Sequence, residues 1–410
     1  MQQNIVLLAI LLYTAFSFNP IAEISIFSRT LNLSPGDMIT MLLVMGVSIK
    51  ALAYNQKDMI IKRPPAVIRF LFSYIFLATV FFLSTLLFFL FHNEMAQYLP
   101  RSLFIYLLWS IAPLLFYYGS DSQLNLNKLT RITWILMVTF LAGVMGNIFI
   151  KTNDFNLFVL LTNTFQSQNV RLGGQIADPN QLGTLAAFFS TIGIMGALYE
   201  KKVGVRFSFV LLTAGTGSII LLTQSRESIL TLFVAVICVG VFLMQKKLYS
   251  KAFIIAMGLI MGTVFSVMNI PRIVETLSAM DVGDTGYALS ARGRVWEFAL
   301  KIISNYPLGI GFENMAYFTD NSVLQAHNAF LQSAIVGGAL GFISFLCFLV
   351  FLFQLFRAGA KLVPENWMLE AYFAFSVGYL ATSLGSDHFI SFYTFNAVFF
   401  GLLGFVVSAR

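Results

Sequence analysis

The chain has 410 residues, of which 58% are hydrophobic and only 10% charged, with a formal net charge of +7; its mean hydropathy is +0.82. A water-soluble fold of that composition lacks the polar side chains to cover its surface, so the bilayer is the solvent. The surplus of Lys and Arg is that of the basic inner loops of a membrane protein and gives no ground for nucleic-acid binding.

Apolar runs of about 17–25 residues are long enough to span a bilayer. In chain order they lie near 4–27, 37–54, 66–91, 102–119, 132–150, 181–199, 207–224, 228–244, 252–268, 328–356, 369–385 and 392–409. The pattern predicts an all-α polytopic membrane protein of about twelve transmembrane helices, in one integral membrane domain over 1–410. The first run has no basic segment before it and continues into the chain. It therefore reads as a first span kinked at Pro20 rather than a cleaved signal. Cys238 and Cys347 both sit inside apolar runs and read as packing residues.

Orientation follows the basic residues. Lys57, Lys62 and Arg63, then Lys128 and Arg131, Lys201, Lys202 and Arg206, Lys246, Lys247 and Lys251, and Arg357 and Lys361 fall in one set of loops, which is assigned to the cytoplasm. The opposite set is richer in acids, among them Asp37, Glu94, Asp178, Glu227, Glu313 and Asp387. An even number of spans puts both termini in the cytoplasm. Arginines in the outward set are therefore not explained by the inside bias.

Two outward loops are long, 151–180 and 269–327. The first holds NDFNLFVLLTNTF, read as an amphipathic segment on the membrane surface, and then QSQNVRLGGQIADPNQLG. There Gly173-Gly174 and Asp178-Pro179-Asn180 are turn chemistry, with Asn180 placed to cap the sixth span. The second loop lies between the ninth and tenth spans and is expected to carry short helices. It contains RGRVWEFALKIISNYPLGIG and leads into HNAFLQSAIVGGALG at the mouth of the tenth span. No internal repeat is visible.

Four positions stand out for chemistry. Arg226, in TQSRES, sits in a link so short that it must lie at the outer membrane boundary. A guanidinium there either snorkels to headgroups or clamps an anion, since its fork matches phosphate oxygens. Arg292 and Trp296 are four apart on a helix whose apolar face is read as Val295, Trp296, Ala299, Leu300 and Ile303, so they share a face. That spacing permits a cation–aromatic contact or a second anion clamp; Arg294 points elsewhere, toward solvent. His327 precedes Asn328, a natural cap for the tenth span. Beside outward arginines, the histidine is a candidate general base. His388, in GSDHFISF, and Arg171 are candidate further polar contacts, and His92 is a boundary residue. The sequence has no Asp-x-Asp pair, HExxH or Cys/His cluster to support a metal. Nor has it a phosphate-binding glycine loop to support a nucleotide cofactor.

The ordered set TQSR, RGRVW…NYPLGIG and HNAFLQ…GGALG, with RLGGQIADPNQLG upstream, resembles the O-antigen ligase and polymerase superfamily of bacterial inner-membrane glycosyltransferases. The likeness runs over roughly 171–341. It implies a donor glycan carried on undecaprenyl diphosphate, transfer to a hydroxyl acceptor at the periplasmic face, and no metal or nucleotide. It further implies that Arg226 and Arg292 engage the diphosphate and that His327 is the base, with Arg171, Arg294, Asn328 and His388 as substrate contacts. One departure is Val336, where members of the family often carry an acidic residue. An acidic partner for His327 must then come from elsewhere, with Asp387, Asp320 and Glu313 as candidates.

The leading expectation is a polymerase of surface-polysaccharide repeat units, with a glycan acceptor and a chain-length regulator as candidate partner. The alternatives are a ligase with lipid A–core as acceptor, or transfer of a glycan to protein. A small-anion transporter is the reading from another class. It calls for charges at mid-depth in the spans, and Lys50 and Glu23 are the main candidates.

Overall fold

A computed structural model describes residues 2–16, 22–26, 29–33, 63–92, 99–121, 124–152, 178–269, 285–312, 314–318, 325–363, 366–383, 388–391 and 393–409. Several expectations lie outside these residues: the span at 37–54, Arg171 with most of the first outward loop, and Glu313, Asp320 and Asp387.

The body is helical. Among the described residues, seven helices are long and apolar enough to cross a membrane: those within Pro65–Phe91, Ser102–Gly119, Leu126–Gly146, Pro179–Tyr199, Val203–Thr223, Arg226–Gln245 and Ala329–Leu362. Val6–Ala15, Tyr249–Gly262 and Phe395–Ser408 are shorter apolar helices. The protein is a polytopic membrane protein.

The first expected span, 4–27, is corrected. Helix α1 covers only Gln2–Phe16. Strands β1 (Ala22–Ile26) and β2 (Arg29–Leu33) follow as an antiparallel hairpin, with Ala22 opposite Leu33 and Ile26 opposite Arg29. AEISI alternates apolar and polar with Pro20 lying before it. A period of two is the pattern of a strand, and proline does not continue a helix.

The described residues form two compact units. The first comprises 1–129, 292–363 and 383–410. Within it lie α2 (Pro65–Phe91), α3 (Leu99–Trp109) and α4 (Ile111–Gly119). The break between α3 and α4 falls at Ser110, three residues before Pro113, which has no N–H to offer the preceding turn. α2 packs along α12 (Ala329–Leu362), and α4 along α15 (Tyr393–Ser408). Their shared core is aromatic. The Phe70 ring stands 4.8 Å from that of Phe116 and 5.5 Å from that of Phe348, and Tyr74 meets Trp109 edge-on at 5.1 Å. Such tilted and edge contacts suit the ring quadrupoles.

The second unit comprises 130–291 and 364–382. It holds most of α5 (Leu126–Thr152), then α6 (Pro179–Tyr199), α7 (Val203–Thr223), α8 (Arg226–Gln245), α9 (Tyr249–Asn269) and α13 (Trp367–Thr382). α6 is the central post, packed by α7, α8 and α13. Phe188 on α6 meets Tyr372 and Phe375 of α13 at 5.0 and 5.2 Å. α8 and α13 are joined by a Thr231–Thr382 hydroxyl bond of 2.8 Å and, at their basic end, by a Lys246–Glu370 ion pair. Burial opposes the charge on Lys246, but the hydrogen bond and charge of Glu370 outweigh it and raise its pKa. Phe253, Ile254 and Met261 on α9 are 67%, 63% and 68% exposed. In water such a face would drive association; against lipid it needs no cover.

Candidate active site

In the second unit, α7 and α8 are linked by Gln224 and Ser225 alone. Gln224 takes the left-handed conformation (φ 48°, ψ 31°), which reverses the chain. Ser225 caps α8 by accepting from the Ser228 N–H at 3.3 Å, and its hydroxyl donates to Asn180 Oδ1 at 3.1 Å. The Ser228 hydroxyl closes onto Ser225 Oγ at 2.9 Å. The Asp-Pro-Asn stretch is used differently from the expectation. Asp178, not Asn180, caps α6, accepting the Asn180 N–H at 2.7 Å. Pro179 takes the first helical position, where no N–H is needed. This frees the Asn180 side chain to tie the start of α6 to the TQSR turn. Gly183 lets the two meet, because a Cβ there would stand 2.5 Å from Ser228 Oγ.

Arg226 is the first residue of α8 and is exposed. A cation at a helix N-terminus faces the positive end of the macrodipole, an arrangement that costs a few tenths of a kcal/mol on its own. The same arrangement is favourable once an anion binds, because the guanidinium and the N–H groups of the first turn attract the same charge.

In the first unit, the chain from Arg292 onward continues α10 (Thr285–Asn305). Ala299 and Ile302 are buried on α10, with Val295, Phe298 and Ile303 packed beside them. Leu300, expected on this face, is 56% exposed. One helical step of about 100° beyond Ala299 turns it away. Arg292 lies one turn before Trp296. The Trp296 indole N–H donates to the Ala326 carbonyl at 3.1 Å, and the Ala326 N–H donates to Gln332 Oε1 at 2.8 Å. Both polar groups of that peptide are thus held by side chains. The next residue, His327, is half-buried and has φ 49°, a conformation uncommon for a non-glycine residue. Asn328 caps α12, accepting the Phe330 and Leu331 N–H groups at 3.0 and 3.1 Å. Its side-chain oxygen is therefore committed to the fold. The Ala329 N–H donates to Ser383 O at 2.9 Å, pinning the turn to the stretch that leads to α14 (His388–Ser391). Arg294 is exposed, as its position two residues from Arg292 implies.

The Pro-Leu-Gly-Ile-Gly turn is a clasp for the histidine helix. α12 is broken at Gly338 (φ 65°, ψ −158°). Into the break runs 307–311: the Ile310 N–H donates to Ile335 O at 2.8 Å, Gly311 N–H to Val336 O at 3.1 Å, and Ala339 N–H to Pro307 O at 3.1 Å. A backbone opened within a membrane helix must be re-satisfied by protein, and this loop does so. A Cβ on Gly338 would stand 2.1 Å from the Pro307 carbonyl oxygen. Below the clasp, Phe88, Phe89, Ala299, Ile302, Ile310, Ala326 and Ile335 form one apolar cluster, joined by Met315 of the short helix α11 (Met315–Phe318). It fixes α10, which carries Arg292, against the start of α12, which follows His327.

Residues 207–346 match the O-antigen ligase family model. This segment belongs to the O-antigen ligase and polymerase superfamily. It covers roughly a third of the chain, including the turn of Arg226, α10 and the His327 turn. No curated protein matches the chain. The family link makes the chain an O-antigen ligase-type membrane enzyme of the ligase or polymerase kind, acting on lipid-linked glycan and an acceptor in general terms.

Within the O-antigen ligase region, Arg292, Trp296 and His327 come together through the Ala326 peptide, while Arg226 belongs to the second unit with Asn180 and Ser225. Gln332, Ser225 and Ser383 hold the two turns, and sequence reasoning did not single them out. Gln332 and Ser225 stand inside the quoted motifs HNAFLQ and TQSR, which was the available signal. Among the described residues no group of His, Cys, Asp or Glu is arranged to hold a metal ion.

Proposed function

We propose that the chain transfers a glycan from undecaprenyl diphosphate to a sugar hydroxyl at the periplasmic face of the bacterial inner membrane, as a polymerase of surface-polysaccharide repeat units. In this reaction His327 takes the proton of the acceptor hydroxyl as its oxygen attacks the anomeric carbon. The new C–O bond forms as the bond to the diphosphate breaks, and the lipid diphosphate leaves with the electron pair. Attack from the face opposite the leaving group inverts the anomeric centre. Arg226 and Arg292 meet the negative charge that grows on the departing diphosphate, so neither a metal nor a nucleotide is required. Arg171, Arg294 and His388 are assigned to glycan or phosphate contacts around this chemistry.

The observation that carries the reading is the held peptide before His327. Trp296 and Gln332 fix both ends of the Ala326 amide, and so present the histidine from a constrained backbone one turn of α10 away from the Arg292 position. Orientation supports the face: Arg226 and His327 stand at the helix ends opposite to the basic ends marked by Lys201, Lys246 and Lys361. Transfer to lipid A–core is the second reading, favoured by the description of the matched family as O-antigen ligase.

The test is transfer in proteoliposomes supplied with an undecaprenyl-diphosphate glycan. His327→Ala is expected to lose about 10²–10⁴-fold in rate, the usual worth of a general base. Arg226→Ala and Arg292→Ala are each expected to lose about 10²–10³-fold, as for removal of one group that stabilises developing charge. Full product from the His327 and Arg292 variants would sink the assignment, and anion flux without transfer would support a transporter instead. Supplying a repeat-unit acceptor in one reaction and lipid A–core in another separates polymerase from ligase.

A further inference from the structure

Arg63 is 7% exposed and lies at the start of α2, opposite the end that joins the apolar cluster below His327. α2 has 27 residues, which puts about 40 Å between its two ends. The guanidinium stacks on the Tyr117 ring with Cζ 3.8 Å from the centroid. Nη2 stands 3.9 Å from Asp121 Oδ1, within ion-pair range but beyond hydrogen-bond length. Among the described residues neither Nε nor Nη2 has a hydrogen-bond acceptor. Two unmet donors on a buried cation are costly, and they form the edge of the guanidinium that takes two oxygens of a phosphate side by side.

Beside that edge a cavity of about 430 Å³ runs between α2 and the α3–α4 pair. Its wall on α2 extends from Arg63 through Ile68, Phe72 and Ile75 to Thr79, with Tyr106 and Leu114 opposite. Phe72 and Ile75 are 61% and 45% exposed, so the groove is open along its side. The volume lies in the range of about 300–1,000 Å³ usual for small-ligand sites. One end therefore offers an unsatisfied fork of positive charge and the rest offers a greasy channel, which is the chemistry of a lipid phosphate with its chain. Arg63 follows Lys57 and Lys62 in a basic inner loop. The leaflet is therefore the cytoplasmic one, whose lipids include anionic phosphodiesters.

We propose that this groove holds one anionic glycerophospholipid of the inner leaflet, its phosphate on Nε and Nη2 of Arg63 and an acyl chain along α2. The site is separate from the glycan-transfer chemistry, and the proposal stands without it. The test uses the purified full chain in detergent, titrated with phosphatidylglycerol or with phosphatidylcholine of equal chain length and read by native mass spectrometry. One tightly retained phosphatidylglycerol is expected. Arg63→Gln should weaken it at least about tenfold, the loss of a charge-assisted pair of bonds, with Arg63→Lys between the two. Thr79→Trp keeps the cation but fills the channel, and it should weaken retention as much; it decides the matter if the Arg63 variants do not fold. Equal retention of the two lipids, indifference to Thr79→Trp, or preference for undecaprenyl phosphate over phosphatidylglycerol would overturn the proposal.

Discussion

The turn that presents Arg226 and the turn that presents His327 both hand over to a helix through a capping side chain, Ser225 in one and Asn328 in the other. They are held in different ways. The Arg226 turn rests on a local web of short side chains, in which Ser225, Ser228 and Asn180 share hydrogen bonds. The His327 turn rests on backbone geometry and on partners brought from a distance: the Trp296 indole from thirty positions upstream, and 307–311 inserted into the broken α12. A web of hydroxyls can lose one strand and keep its shape. A clasp that depends on a glycine-only conformation has no such reserve. The comparison therefore predicts that single substitutions around His327 cost more than equivalent ones around Arg226.

The largest effect is expected at Gly338. Its φ and ψ fall in a region nearly closed to other residues, and a Cβ meets the Pro307 carbonyl. Gly338→Ala should destabilise the fold by about 3 kcal/mol, the upper end of the cost of such backbone strain, and should abolish transfer; thermal unfolding in detergent reads the first and product formation the second. A stable, active Gly338→Ala protein would break the comparison. Next is Gln332→Ala, which strands the buried Ala326 N–H. The cost is about 1–3 kcal/mol, and since His327 is the next residue, kcat should fall roughly tenfold with KM nearly unchanged, about 1.4 kcal/mol of barrier. Gln332→Glu still offers an acceptor oxygen and should restore most of the rate. The smallest effect is expected from Ser225→Ala. Loss of one cap is worth about 1 kcal/mol, and with Asn180 and Ser228 still in place the rate should drop only a few-fold. If Ser225→Ala proved more damaging than Gln332→Ala, the two turns would have to be ranked the other way.

Much of this was legible in the residues. The runs at 66–91, 181–199, 207–224 and 228–244 are apolar for the length of a bilayer crossing, and the structure gives helices there. The pairing of Arg292 with Trp296 on one face followed from helical spacing alone. What escaped depends on partners that sequence does not bring near. In VGGALG the glycines read as close helix packing, because nothing local says that Pro307 will accept from Ala339 and fill the break at Gly338. Asn180 read as a cap because it ends a turn motif. Asp178, two residues earlier, does that work, and the role of Asn180 is set by Ser225, 45 positions on. At 22–33 the alternation of AEISI was absorbed into an apolar run, so Pro20 read as a kink within a span and not as the end of a helix. Leu300 was misplaced by a single residue step, which is all that separates one helix face from the next.

The central claim is that Arg226 in one unit and Arg292 in the other serve the same departing diphosphate. A double-mutant cycle tests it most directly: initial transfer rates from an undecaprenyl-diphosphate glycan for the wild type, Arg226→Ala, Arg292→Ala and the double variant. Groups that act together on one leaving group lose rate non-additively. The account predicts that the double variant is far less impaired than the product of the two single losses. Losses that multiply, or a single variant that transfers at the wild-type rate, would contradict it.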